Sequence, residues 1–148
     1  MLGPGGAAPR SAPVNDMAKV RSALDDARRF RAIWMHAVAT GACSISDLLD
    51  ASVQPGGEPL RALVLTEVLG AQPGWAPRRA RFTVAEVRRM LGVDPQLTNR
   101  RVTVGWIVDR RTRGIRRRAL ADALYRIGRE APAPNWPWVD LDDTSLGS

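Results

Sequence analysis

The chain has 148 residues, 45% of them hydrophobic, with 22 Lys and Arg against 15 Asp and Glu, a formal charge of +7 and a pI near 11.2. That length suits one domain with a real apolar core, and the basic excess predicts a polyanionic partner, nucleic acid before an acidic membrane surface. A single cysteine, Cys43, and a single histidine, His36, exclude an internal disulfide, a Cys-based metal site and a His-dependent hydrolytic triad.

Cys43 reads as a small buried hydrophobe and His36 as a structural residue of a helix, so no cofactor, metal or catalytic residue is expected. No apolar run reaches the roughly 18 residues of a membrane span, and no secretory apolar region follows the start. The expectation is a soluble, cytoplasmic protein without a membrane partner or a small-molecule substrate. Lys19 is the only lysine. Arginine at this excess fits a GC-rich coding sequence or selection for the guanidinium fork, which grips phosphates bidentately.

Residues 1–15, "MLGPGGAAPRSAPVN", are rich in Pro, Gly and Ala and predict a disordered segment. Asn15 or Asp16 then caps a long helix ending at Gly41. Its apolar positions are Val20, Leu24, Ala27, Trp34 and Val38, flanked by Phe30 and Ile33, and its opposite face carries Lys19, Arg21, Arg28, Arg29 and Arg31. "SISDLL" opens a short helix at Ser44, which "QPGGEP" breaks.

"LRALVLTEVLG" (60–70) reads as a third helix with Leu60, Leu63, Val64, Val68 and Leu69 inward. "AQPGWAPRRAR" reads as a loop. "TVAEVRRML" follows with a capping box of Thr83 and Glu86 and an inner face of Val84, Val87 and Leu91. "TNRRVTVGWIVD" (98–109) is ambiguous. Its β-branched residues favour strand, while Thr98 or Asn99 can cap a helix with Val102 and Trp106 on one face. "RRRALADALYRIG" is a closing helix with Leu120, Leu124 and Ile127 inward and Gly128 as its stop. "APAPNWPW" is extended by its prolines, with Trp136 and Trp138 packing it on the body. The acidic tail, "VDLDDTSLGS", is mobile. The domain proper is 16–130, followed by the segment 131–148.

The charge is uneven. Residues 100–118 hold eight arginines and one acid, Asp109. "DRRTRGIRRRAL" (109–120) places six arginines around a glycine between two helical segments. There a backbone can approach phosphates closely, and helix N-terminal amides can point at them.

"RRTRGI" followed by "RRRALADAL" resembles the signature of the actinobacterial integration host factor, a small nucleoid protein. "FRAIWMHAVATGACSISDLL", "FTVAEVRRML" and "LGVDPQLTNRRVTVGWIVD" are similar to its preceding helices in order and spacing, from about residue 28 to 127. The chain departs from the pattern by an insertion at about 55–80, which carries an extra helix and the "PGWAPRR" loop. It departs again at Asp94 and Pro95, where the family's hairpin has glycines.

The resemblance implies an all-α fold with a long N-terminal helix and a helix-two-turns-helix unit like that of ribosomal protein S13. Residues 98–108 are then helical, in a fold of five or six helices. It implies a nucleoid-associated architectural protein that binds duplex DNA with little sequence specificity and bends or compacts it. Carried over, Arg110, Arg111 and Arg113 of the turn contact DNA and Gly114 lets the backbone turn. Arg100, Arg101, Arg116 and Arg117 are the surrounding contacts. Arg116, Arg117 and Arg118 step about 100° around their helix, so at most two of them face one duplex.

Two other readings remain open on sequence. "TVAEVRRMLGV" with "PQLTNRRVTVGWIV" has the pattern of a helix-turn-helix regulator. A unit like that of S13 also suits RNA. The paired acids Asp25–Asp26 and Asp142–Asp143 read as helix surface and solvated tail, so an enzyme is not expected. The tail aspartates are suited to compete with phosphate for the basic face. Oligomeric state is open.

Overall fold

The computed structural model describes residues 3–94 and 96–130, with side chains described for 16–94 and 96–127. The expected roles of Trp136, Trp138, Pro95 and the acidic tail lie outside the described residues. Among those residues the fold is all-helical and contains no strand. Six α-helices, α1 (Gly3–Thr40), α2 (Ile45–Ser52), α3 (Leu65–Ala71), α4 (Pro77–Leu91), α5 (Val104–Ile107) and α6 (Ile115–Glu130), alternate with short 3-10 turns. Among the described residues no helix is long and apolar enough to cross a membrane.

α1 runs from Gly3, upstream of the expected cap, and its side chains are described from Asp16 onward. The body covers only the C-terminal half of α1. Val38 is buried and Phe30, Trp34 and Met35 pack against the core, but Val20 and Leu24 are 53% and 52% exposed. The inward face expected along the whole helix therefore exists only from about Phe30 onward.

α2 starts as expected at Ser44, and here the chain has its capping box. Ser44 Oγ accepts from the Asp47 amide at 3.0 Å, and Asp47 Oδ2 accepts from the Ser44 amide at 2.9 Å. The box expected at Thr83 and Glu86 does not form. Pro77 starts α4 instead, at the first helical turn, where its missing amide costs nothing. That moves Arg78, Arg79 and Arg81 from the expected loop onto a helix. Thr83 is left mid-helix and buried, its hydroxyl donating to the Arg79 carbonyl at 2.9 Å.

Residues 60–70 are not one helix. A 3-10 turn, Glu58–Ala62, gives way to extended backbone at Leu63 and Val64 before α3 begins. Residues 98–108 are not continuous either: a 3-10 turn, Asn99–Arg101, and α5 flank extended Val102 and Thr103. The two interruptions meet. Val64 and Thr103 form an isolated antiparallel bridge, with the Leu65 amide donating to Val102 O and the Val104 amide to Leu63 O, both at 2.9 Å. Each break satisfies the other's backbone groups, which a buried chain must pair somewhere. The β-branched residues that made the sequence ambiguous sit at this joint.

The core gathers Leu48, Leu49, Leu60, Leu65, Val68 and Leu69 with Val84, Val87, Val102, Val104, Ile107 and Leu120. Residues 60–69 thus supply a large share of the core, and the segment at 55–80 is built into the domain rather than appended to it. Gly57 marks a close approach, since a Cβ there would stand 1.9 Å from the Ala51 carbonyl oxygen. α6 presents Leu120 and Ile127 inward with Leu124 at the core edge, as expected, but it runs through Gly128 to Glu130. A glycine ends a helix when it takes a left-handed conformation, and otherwise only weakens it by about 1 kcal/mol.

Candidate nucleic-acid interface

Asp109, directly after α5, organises the arginine-rich segment. Its carboxylate accepts the Arg111 amide at 3.0 Å and so caps a 3-10 turn, Arg110–Thr112. The Thr112 hydroxyl donates to the Asp109 carbonyl at 2.7 Å. The Arg111 guanidinium folds back on the same carboxylate, Nη2 to Oδ2 at 2.7 Å and Nε to Oδ1 at 3.1 Å. Arg116 Nη1 lies 3.8 Å from Oδ2. The hydrogen bonds from the Arg111 side chain and amide, with the charges of Arg111 and Arg116, hold the Asp109 carboxyl down to about 2.

The turn closes at Arg113 and Gly114, which both take left-handed backbone, with φ of 53° and 78°. Gly114 does so freely. Arg113 is the one non-glycine residue with positive φ among those described, at a cost of order 1 kcal/mol. α6 starts immediately, the Arg118 amide donating to Gly114 O at 2.9 Å. Gly114 has no side chain with which to cap the helix, so the leading amides of α6 lack a side-chain acceptor from it.

The arginines separate into two groups. Arg116 is held: it donates to the Trp106 carbonyl at 3.0 Å, and its guanidinium stacks 4.0 Å from the Trp106 ring centroid. Arg117 is held: it pairs with Asp50 at 2.7 Å and donates to Ser46 at 3.2 Å, tying α6 to α2. Arg111 is held by Asp109 although its side chain is 89% exposed. Arg110, Arg113 and Arg118 are exposed and make no ion pair or side-chain hydrogen bond with any described residue. Arg113, Gly114, Ile115 and Arg118 line one recess of about 360 Å³. Arg110 borders a separate cleft of about 320 Å³ with Arg61, Gly105 and Asp109.

Of the residues expected at the site, Arg110, Arg111, Arg113 and Gly114 come together, with Arg116 and Arg117 beneath as supports. Arg100 and Arg101 lie on the 3-10 turn beside α3, exposed, with no hydrogen bond or ion pair to the arginine turn. Sequence reasoning missed three members. Helical stepping allows at most two of Arg116, Arg117 and Arg118 on one duplex, and the resemblance took Arg116 and Arg117, whereas Arg118 is the open one. Asp109 carried a legible signal, an acidic residue in cap position before a turn. Trp106 carried none, because its stacking on Arg116 is tertiary.

Cys43 is half-buried at the core edge, and burial, then the charge of Asp47, push its thiol up. His36 is exposed on α1. No group of three or more potential metal ligands occurs among the described residues. The acids Asp25 and Asp26 pair with Arg28 and Arg29 on the surface of α1. No family model, no curated protein and no solved structure matches this chain.

Proposed function

We propose that the protein is a nucleoid-associated architectural protein that binds duplex DNA through the turn at 110–118 with little sequence specificity. On this reading it is a divergent member of the actinobacterial integration host factor family, acting in the cytoplasm on the nucleoid. The observation that carries the reading is a set of exposed cations with no acid or hydrogen-bond partner among the described residues, Arg110 and Arg113 on the turn before α6 and Arg118 in its first turn. Guanidinium groups without a counterion among the described residues are free to pair with phosphate. Arg110 and Arg113 lie on the turn and Arg118 at the N-terminal end of α6, not spread along one helix face, which favours backbone contact over base readout.

A helix-turn-helix regulator is disfavoured. The element that would enter the major groove, α5, has four residues, with Val104 and Ile107 fully buried. RNA remains the competing polyanion.

The test is a fluorescence-anisotropy titration of unrelated duplexes at two salt concentrations, with RNA as competitor. Three phosphate contacts predict an affinity loss of about 40-fold between 50 and 200 mM salt. Unrelated duplexes should bind alike, and RNA should compete poorly. Affinity that is flat with salt rejects the phosphate mechanism. Strong preference for one duplex rejects the architectural role.

A further inference from the structure

We infer that Asp109 is a positioning residue that limits the DNA contact to three arginines, by serving as an internal stand-in for phosphate toward Arg111. The inference rests on the DNA-binding reading above and states how many of the crowded guanidinium groups reach the duplex, and why.

The carboxylate takes Arg111 through two nitrogens, in the fork geometry that a phosphate would otherwise receive. The same carboxylate caps the 3-10 turn through the Arg111 amide. Arg111 is thereby fixed at both backbone and side chain. On its other side the carboxylate faces Arg116, which Trp106 holds from below by stacking and by its carbonyl. The acid is only 18% exposed in its side chain. A phosphate recruiting Arg111 must therefore displace a preformed charge-assisted pair and leave a largely covered carboxylate with one partner fewer.

Arg110, Arg113 and Arg118 have no such competitor among the described residues. The acid also keeps the turn in register. Arg113 sits in left-handed backbone, so its side chain leaves the turn in a direction that depends on the cap one residue upstream of Arg110.

Four variants test this in the full chain: Asp109→Asn, Arg111→Ala, Arg110→Ala and the double variant Asp109→Asn with Arg111→Ala. Asparagine still caps the turn through its side-chain oxygen but no longer neutralises Arg111. The Asp109→Asn protein should bind DNA more tightly at low salt. Its affinity loss between 50 and 200 mM should steepen from about 40-fold to about 150-fold, the change expected for a fourth phosphate contact. Arg111→Ala alone should change affinity by less than about twofold, while Arg110→Ala changes it by several-fold. In the double variant the salt dependence should return to that of wild type.

A general charge effect depends only on net charge, so it would make Arg111→Ala and Arg110→Ala lose affinity equally; that result overturns the inference. If Asp109→Asn does not fold by circular dichroism, the comparison of the two single arginine variants still decides. A carboxyl titration by nuclear magnetic resonance gives a readout without DNA. The Asp109 carboxyl should titrate near 2 in wild type and clearly higher in Arg111→Ala; an unchanged titration overturns the pairing. Wild type that binds DNA with an unaltered slope in Asp109→Asn refutes only this inference. Wild type that does not bind DNA refutes the function and the inference together.

Discussion

α4 with the C-terminal part of α6, and the turn at 109–118, are both dense in arginine, and they use it in opposite ways. In the first region Arg89 and Arg126 share Glu86, at 2.8 and 2.6 Å, and Arg88 donates to Asn99 at 3.1 Å. Arg79 stacks on Trp75 at 4.0 Å. In the second, one acid serves Arg111 and touches Arg116, while Arg110, Arg113 and Arg118 stay open. Arginine density along a sequence is therefore a poor measure of available positive charge. What matters is how many guanidinium groups the fold leaves without an acid, an amide oxygen or an aromatic face.

Two triple variants break or uphold the contrast. Arg110, Arg113 and Arg118 changed to Ala should lower duplex affinity roughly 10²-fold or more near 100 mM salt. Arg88, Arg89 and Arg126 changed to Ala remove the same net charge and should lower it by no more than about threefold, through the screened long-range field. Equal losses in the two anisotropy titrations would mean that only net charge counts.

Stability should show the reverse order. Arg116→Ala loses a stacked cation and a carbonyl hydrogen bond and should cost about 1–2 kcal/mol. Arg110→Ala should stay within about 0.5 kcal/mol of wild type. Thermal melting followed by circular dichroism separates these.

Both regions contain an acid that arginine holds below its ordinary value: Glu86, chiefly through its hydrogen bond from Arg89, and Asp109, chiefly through that from Arg111. A depressed carboxyl stabilises the fold fully above its unfolded value, and that contribution fades as pH falls through the folded value. For Asp109 the window runs from near 4 down to about 2. Melting temperatures measured from pH 5 to 2 should fall less steeply in Asp109→Asn than in wild type.

The smallest effect belongs to Arg113→Gly. Removing the side chain from left-handed backbone should raise stability by no more than about 1 kcal/mol, since the added freedom of glycine in the unfolded chain offsets part of the relief. DNA affinity should nevertheless fall. A variant that melts higher and binds worse would show that the strained position is kept for its guanidinium group.

Much of this was legible in the sequence where the signal was local. The turning role of Gly114 came with the family resemblance, and its backbone is left-handed. Leu120, Leu124 and Ile127 were readable because helical spacing reports burial. The failures share one cause, competition between local signals that only the fold resolves. Thr83 and Glu86 have the spacing of a capping box, but Pro77 starts the helix first, and Glu86 is then free to bind Arg89 and Arg126. Residues 60–70 and 98–108 each have the apolar content of a helix, yet each breaks where the other supplies backbone partners. Val20 and Leu24 have inward spacing but no body opposite them. At the site, the division of six arginines into held and open groups depends on Trp106, Asp50 and Ser46, whose proximity no spacing reveals.

The bridge between Val64 and Thr103 also sets a timetable for folding. Its partners are about 40 residues apart, so bringing them together costs about 3 kcal/mol of loop entropy beyond a constant. Until residue 104 has left the ribosome, Leu63 and Leu65 have no backbone partners at this joint and their apolar neighbours remain open to chaperones and proteases. The arginine turn is synthesised a few residues later, and its neighbour Arg116 rests on Trp106, whose amide donates to Thr103 of the joint. A nascent chain therefore lacks its organised cluster of positive charge until this joint has formed, and a polyanion meeting an unfinished chain finds only scattered arginines.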